Sequence, residues 1–145
     1  MITLDLSTLV DRSPQDIFDF LSNPLNLTKW QQMIAHIEQV TPGAVGVGSK
    51  YKVAAELLGR KIDGLMEITT FAPPDKFGFT NQAGPMHVTV TVTLKPVGTG
   101  AKIALHAEGN PAGFFKIAEG MLAGQVKSQM EANLARLKSV LESDS

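Results

Sequence analysis

Residues 110–142 read NPAGFFKIAEGMLAGQVKSQMEANLARLKSVLE. Asn110 is a good N-cap, and Pro111 falls at the first helical position, where its missing N–H costs nothing. From Ala112 to Leu141 there is no further proline. Apolar residues recur at helical spacing through Phe114, Ala118, Leu122, Val126, Met130, Leu134, Leu137 and Leu141. At about 1.5 Å per residue this is a rod of roughly 45 Å, longer than a small domain is wide. Such a helix has to lie along a large apolar surface, which the upstream chain must supply.

The two halves of that helix differ. Gly113, Gly120 and Gly124 all fall in the first half, each costing about 1 kcal/mol relative to alanine. From Gln125 onward there is no glycine and strong helix formers dominate. The apolar stripe of the first half lies roughly a quarter-turn from that of the second. Two explanations stand side by side: a bend or loosening near Gly120–Gly124, or close backbone packing at the glycines.

Composition narrows the function. At 145 residues the chain is expected to be one domain, 1–145, able to bury a core without staples. Lys+Arg 13 against Asp+Glu 14 gives a net charge of -1; with no basic block, no nucleic-acid partner is expected. The absence of cysteine excludes disulfides, thiolate metal sites and a cysteine nucleophile. The opening MITLDLSTLV lacks a cationic start and carries Asp5 within its apolar pattern, which does not read as a signal peptide. No apolar run approaches the roughly 18 residues of a membrane span. The expectation is a soluble, cytoplasmic protein.

Ile2 to Val10 alternate as a half-buried strand. Ser13-Pro14-Gln15-Asp16 opens a short helix, with serine as cap, proline at the first position and an acid in the first turn. Asn23-Pro24 breaks it, and Leu25–Trp30 reads as a second helical turn or two. Met33–Val40 is a second strand, followed by a glycine-rich connection over Thr41–Gly48. Tyr51, Val53, Ala55 and Leu57 then pair across a turn with Ile62, Met66 and Ile68. Setting Leu57 opposite Ile62 places Lys52 opposite Glu67, but also Glu56 opposite Asp63, an unfavourable pair. Phe77 and Phe79 share one face of the next strand. Val88, Val90, Val92 and Leu94 alternate with threonines, and Ile103, Leu105 and Ala107 match them beyond a turn, which sets Thr91 opposite His106 and Val92 opposite Leu105. Runs of strands with helices at the ends argue α+β.

That order of elements, with certain local strings, resembles the START-like, helix-grip (SRPBCC) superfamily, and within it the polyketide cyclase/dehydrase-like branch. The strings are Ser13-Pro14 through Phe18, Asn23-Pro24 with Lys29-Trp30, and Gly46-Val47-Gly48-Ser49-Lys50-Tyr51. Gly98-Thr99-Gly100-Ala101-Lys102-Ile103 and the closing LARLKSVLE of Leu134–Glu142 complete them. The resemblance spans the whole chain. It implies a curved six- to seven-stranded antiparallel sheet wrapped around a long C-terminal helix, two short helices after the first strand, and an apolar cavity between sheet and helix. It implies no single chemistry, because the superfamily includes lipid carriers, hormone receptors, cyclases and co-chaperones.

Motifs that suggest other chemistry fail in detail. Gly43 to Lys50 looks like a phosphate loop, but its order is Gly-Ser-Lys and a strand follows, whereas a Walker loop needs Gly-Lys-Ser/Thr and a helix. His36, His87 and His106 have no i, i+4 spacing, so no metal is expected. His106 falls on the threonine face, where solvent is expected. Asp63, Glu67 and Glu108 oppose the apolar sets and read as ion-pair partners, as in Lys52–Glu67. No Gly-x-Ser-x-Gly elbow exists.

Inside, parity leaves few groups able to hydrogen-bond a ligand: Tyr51 with Val53 and Ala55, and Asn81 with Phe77 and Phe79. The resemblance places Trp30 at the cavity rim. The expected ligand-binding set is Trp30, Tyr51, Met66, Phe79, Asn81, Val90, Phe114, Phe115, Met121 and Leu122, with ordinary core packing as the competing account of each. No catalytic residue and no cofactor is assigned. The reading is a monomer or weak homodimer that encloses a hydrophobic, lipid- or polyketide-like small molecule. A cyclase/aromatase-type enzyme using the same cavity, and a co-chaperone or stress-response module using the outer sheet face, are the alternatives.

Overall fold

The computed structural model describes residues 2–31, 34–57, 60–83, 86–110 and 119–143. The alternating segments form one antiparallel sheet in the order β1-β7-β6-β5-β4-β3-β2. Its strands are β1 (Ile2–Val10), β2 (Ile34–Gln39), β3 (Lys50–Leu57), β4 (Arg60–Ala72), β5 (Lys76–Ala83), β6 (Met86–Val97) and β7 (Gly100–Asn110). Among the described residues three helices accompany them: α1 (Pro14–Leu21), α2 (Leu27–Trp30) after a 3-10 turn at Pro24–Asn26, and α3 (Glu119–Ser143). This is the α+β helix-grip arrangement, with seven strands. Among the described residues no helix is long and apolar enough to cross a membrane.

Local chemistry accounts for the element ends. The Ser13 hydroxyl accepts from the Asp16 amide at 3.2 Å, with Pro14 opening α1. Asn23 accepts from the Leu25 amide at 3.2 Å and starts the 3-10 turn. At the far end of α3, Arg12 Nε donates to the Leu141 carbonyl at 2.7 Å and the Asp11 amide donates to Glu142 Oε2 at 3.0 Å. These bonds satisfy a last-turn carbonyl and tie the helix end to the exit of β1. The Gly98-Thr99 turn between β6 and β7 uses a positive φ of 59° at Gly98. Gly100 beside it is obligatory for space, since a Cβ there would collide with the Val10 carbonyl oxygen.

The β6–β7 register agrees with the sequence: Thr91 faces His106 and Val92 faces Leu105. The β3–β4 register does not. Leu57 pairs with Arg60 and Ala55 with Ile62, two residues from the expected alignment. Glu56 now faces Lys61 and Lys50 faces Glu67, so the Glu56–Asp63 clash is avoided and the expected Lys52–Glu67 pair is replaced. A shift of two keeps every side chain on its face, so Tyr51, Val53 and Met66 remain inside.

Met130, Leu134, Leu137 and Leu141 form the buried stripe of α3, and the helix packs against β1 and α2. The expected helix start at Pro111, with Phe114 and Phe115, lies outside the described residues. The helix is continuous through Gly120 and Gly124. Gly124 is exposed, and a Cβ there would meet nothing within 4 Å, so close packing is not the reason for that glycine.

Candidate functional site

The inner face of the sheet is built in cross-strand rows. One row runs Tyr51–Met66–Asn81–Val88–Gly109 across β3, β4, β5, β6 and β7. The next runs Ile68–Phe79–Val90–Ala107. Five of the expected ligand-binding residues, Tyr51, Met66, Phe79, Asn81 and Val90, therefore lie in two adjacent rows. Alternation places them there: each shares parity with a core residue of its own strand.

Burial across this patch is uneven. Tyr51, Met66 and Ile68 are fully buried and Val90 nearly so, whereas Phe79, Asn81, Val88 and Ala107 are half-buried. The opposite end of the same face is closed by α1, whose Phe18 ring stacks edge-on to Phe71 at 5.3 Å and to Phe77 at 6.3 Å. Phe79 continues this cluster, 6.0 Å from Phe77. Within the two rows Tyr51 is the one ionisable group. Burial pushes its hydroxyl above the usual tyrosine value, so it stays a neutral donor. Asn81 Oδ1 is buried and has no hydrogen-bond partner among the described residues.

Trp30 is 4% exposed within the core rather than at an open rim, because α2 packs against both β2 and α3. Met121 and Leu122 are on α3, with side chains outside the described set, as are Phe114 and Phe115 altogether. Sequence reasoning missed a buried amide pair: Asn133 Nδ2 donates to Gln31 Oε1 at 2.8 Å. The signal was available, since Asn133 stands three residues after Met130 and four before Leu137, on the stripe itself.

A family model described as polyketide cyclase / dehydrase and lipid transport matches residues 1–142. The chain belongs to that family. A similar protein is the uncharacterized protein Rv1546 of Mycobacterium tuberculosis (strain ATCC 25618 / H37Rv), 26% identical over 135 residues covering 92% of this chain and 94% of that one. Among solved structures, TTHA0849 from Thermus thermophilus superposes with a TM-score of 0.84 at 15% identity, covering 99% of both chains. Ara h 8.0201 superposes with a TM-score of 0.72 at 19% identity, covering 98% of both. These likenesses are to the fold.

Other polar features of this family member lie away from the inner face. In the glycine-rich loop the Gly48 amide donates to the Ile68 carbonyl at 2.8 Å, and the Ser49 amide donates to the Gly46 carbonyl at 3.1 Å. The first bond holds the loop on β4 and the second closes a turn within it, so neither amide is offered to a phosphate. On the outer face His106 Nδ1 lies 2.6 Å from Asp5 Oδ1 and its Nε2 lies 3.0 Å from Glu108 Oε1. Hydrogen bonding to Asp5, then to Glu108, holds the imidazole above the usual histidine value. An open hollow of about 580 Å³ on that face is lined by His36, Glu38, Lys52, Asp63, Leu65 and Gln82 among others, charges of both signs that suit a solvated surface.

Proposed function

We propose that the chain binds a hydrophobic small molecule, lipid- or polyketide-like, on the inner face of the sheet beneath the C-terminal helix. The observation that carries this reading is the half-buried Phe79–Val88–Ala107 patch beside the fully buried Tyr51, Met66 and Ile68. Aliphatic and aromatic area left partly uncovered at the centre of a concave face gains dispersion contacts and loses water when an apolar ligand covers it. The family description, which includes lipid transport, supports the same class. Tyr51, Met66, Phe79, Asn81 and Val90 form the strand wall of the proposed site. Phe114, Phe115, Met121 and Leu122 are its proposed helix-side wall, and Trp30 reports on α2 behind it. The test is a titration with an apolar naphthalene-type probe, read by Trp30 emission and by equilibrium dialysis. Micromolar affinity with a changed Trp30 signal is expected; no uptake by dialysis contradicts the proposal.

Tyr51 favours a second reading, a cyclase- or dehydrase-type reaction in the same space. A neutral phenol is a competent proton donor to an enolate or carbonyl oxygen. Loss of turnover in Tyr51→Phe, with probe binding retained, distinguishes this reading from binding alone.

A further inference from the structure

We propose that the inner-face ligand is a neutral amphiphile carrying one hydrogen-bond donor, such as an alcohol, phenol or amide N–H, and that Asn81 Oδ1 accepts that donor. The inference rests on the binding role proposed above and narrows the ligand class. A buried carbonyl oxygen without a partner is uncommon, because leaving it unpaired forfeits the hydrogen bond it makes to water in the unfolded chain. The described neighbours of Asn81 on this face cannot meet the need. Met66 and Val88 stand opposite it on β4 and β6, and Phe79 precedes it on the same face; all three are apolar.

The oxygen sits where a ligand would lie. Asn81 occupies the middle of the Tyr51–Met66–Asn81–Val88–Gly109 row, next to the half-buried Phe79 and Val88. The terminal torsion of asparagine is soft, so the amide turns toward a hydroxyl above the row without any change in the strand. The apolar body of the ligand then covers Phe79 and Val88 while its donor reaches the oxygen.

The same surroundings disfavour a free carboxylate. The two rows that surround Asn81 hold no lysine, arginine or histidine. A carboxylate there would lose its hydration without gaining a cation from these rows, and would face a carbonyl oxygen of like partial charge. The Tyr51 hydroxyl, two strands away, is neutral and adds no positive charge. A neutral donor meets no such penalty.

Three probes of one shape separate the possibilities: 2-naphthol, its methyl ether 2-methoxynaphthalene, and 2-naphthoate. Their affinities are measured by calorimetry near pH 7.5, where a phenol is neutral and a carboxylic acid ionised. Wild-type protein is expected to bind 2-naphthol about tenfold more tightly than either of the others, the fold-change for one unsatisfied polar group. Asn81→Leu should bind 2-naphthol and its ether equally, and should melt a few degrees higher without ligand, because the orphaned oxygen is gone. Equal affinities for naphthol and ether in the wild type, or a preference that survives in Asn81→Leu, overturn the donor assignment while leaving the binding role intact. Naphthoate binding tightest overturns the exclusion of carboxylates. Uptake of none of the three contradicts the binding role itself. The wild-type comparison decides the matter without the variant.

Discussion

Asn133 Nδ2 donates to Gln31 Oε1 at 2.8 Å across 102 positions of sequence, and both residues are buried. The bond fixes the position of α3 against the end of α2, where apolar contacts alone would allow sliding by small steps. Replacing Asn133 by leucine takes this partner from the Gln31 amide and should cost about 1–3 kcal/mol in urea unfolding. The double change Asn133→Leu with Gln31→Leu should cost less than the sum of the two single changes, because it removes both halves of the pair. Strict additivity would show that the two amides do not depend on each other.

Two glycines should respond in opposite senses. Gly124 has an exposed helical position with open space around its missing side chain, so Gly124→Ala should raise stability by up to about 1 kcal/mol. Gly100→Ala drives a methyl into the Val10 carbonyl and should destabilise by about 1–3 kcal/mol, separating β1 from β7 at that corner. Thermal melts of the two variants side by side check both. A destabilised Gly124→Ala would mean that the helix needs its freedom there.

The Asp5–His106–Glu108 cluster predicts a small pH dependence of defined sign. His106 is held above the usual histidine value by Asp5 first and Glu108 second. A raised folded-state value contributes stability that is fully present below about pH 6.5 and is lost as pH rises through the folded-state value. The group is solvent-exposed, so the effect should fade in high salt. NMR titration of His106 should give a midpoint above about 6.5 that falls in Asp5→Asn. A midpoint unmoved by Asp5→Asn would remove the hydrogen bond as the cause.

What is legible in the sequence follows from parity and turn length. The Val88–Leu94 alternation and the Gly98-Thr99 turn fix β6 against β7, and that register is readable to the residue. In β3–β4 the faces follow from the sequence, but the partners lie two positions from the expected ones. Parity is blind to a slip of two, and the deciding charges, Glu56 with Lys61, count only in the right alignment. Pairing of β1 with β7 joins the first and last strands of the chain through no turn, so the Asp5–His106 contact has no local signal. Alternation marks Tyr51, Met66 and Asn81 as inward, yet that they share one row depends on two registers together. Resemblance places Trp30 at a rim, whereas the packing of α2 against α3 encloses it.

Occupation of the inner face is the central claim, and Met66 reports it most directly. Its side chain is 1% exposed in the Tyr51–Asn81 row, while Met130 is buried on the second half of α3. With methyl-labelled methionine, the Met66 resonance, assigned by Met66→Leu, should move in a saturable manner as 2-naphthol is added, and that of Met130 should hold still. A Met66 resonance that stays fixed at saturating probe, or one that shifts no more than Met130, would contradict binding at this face.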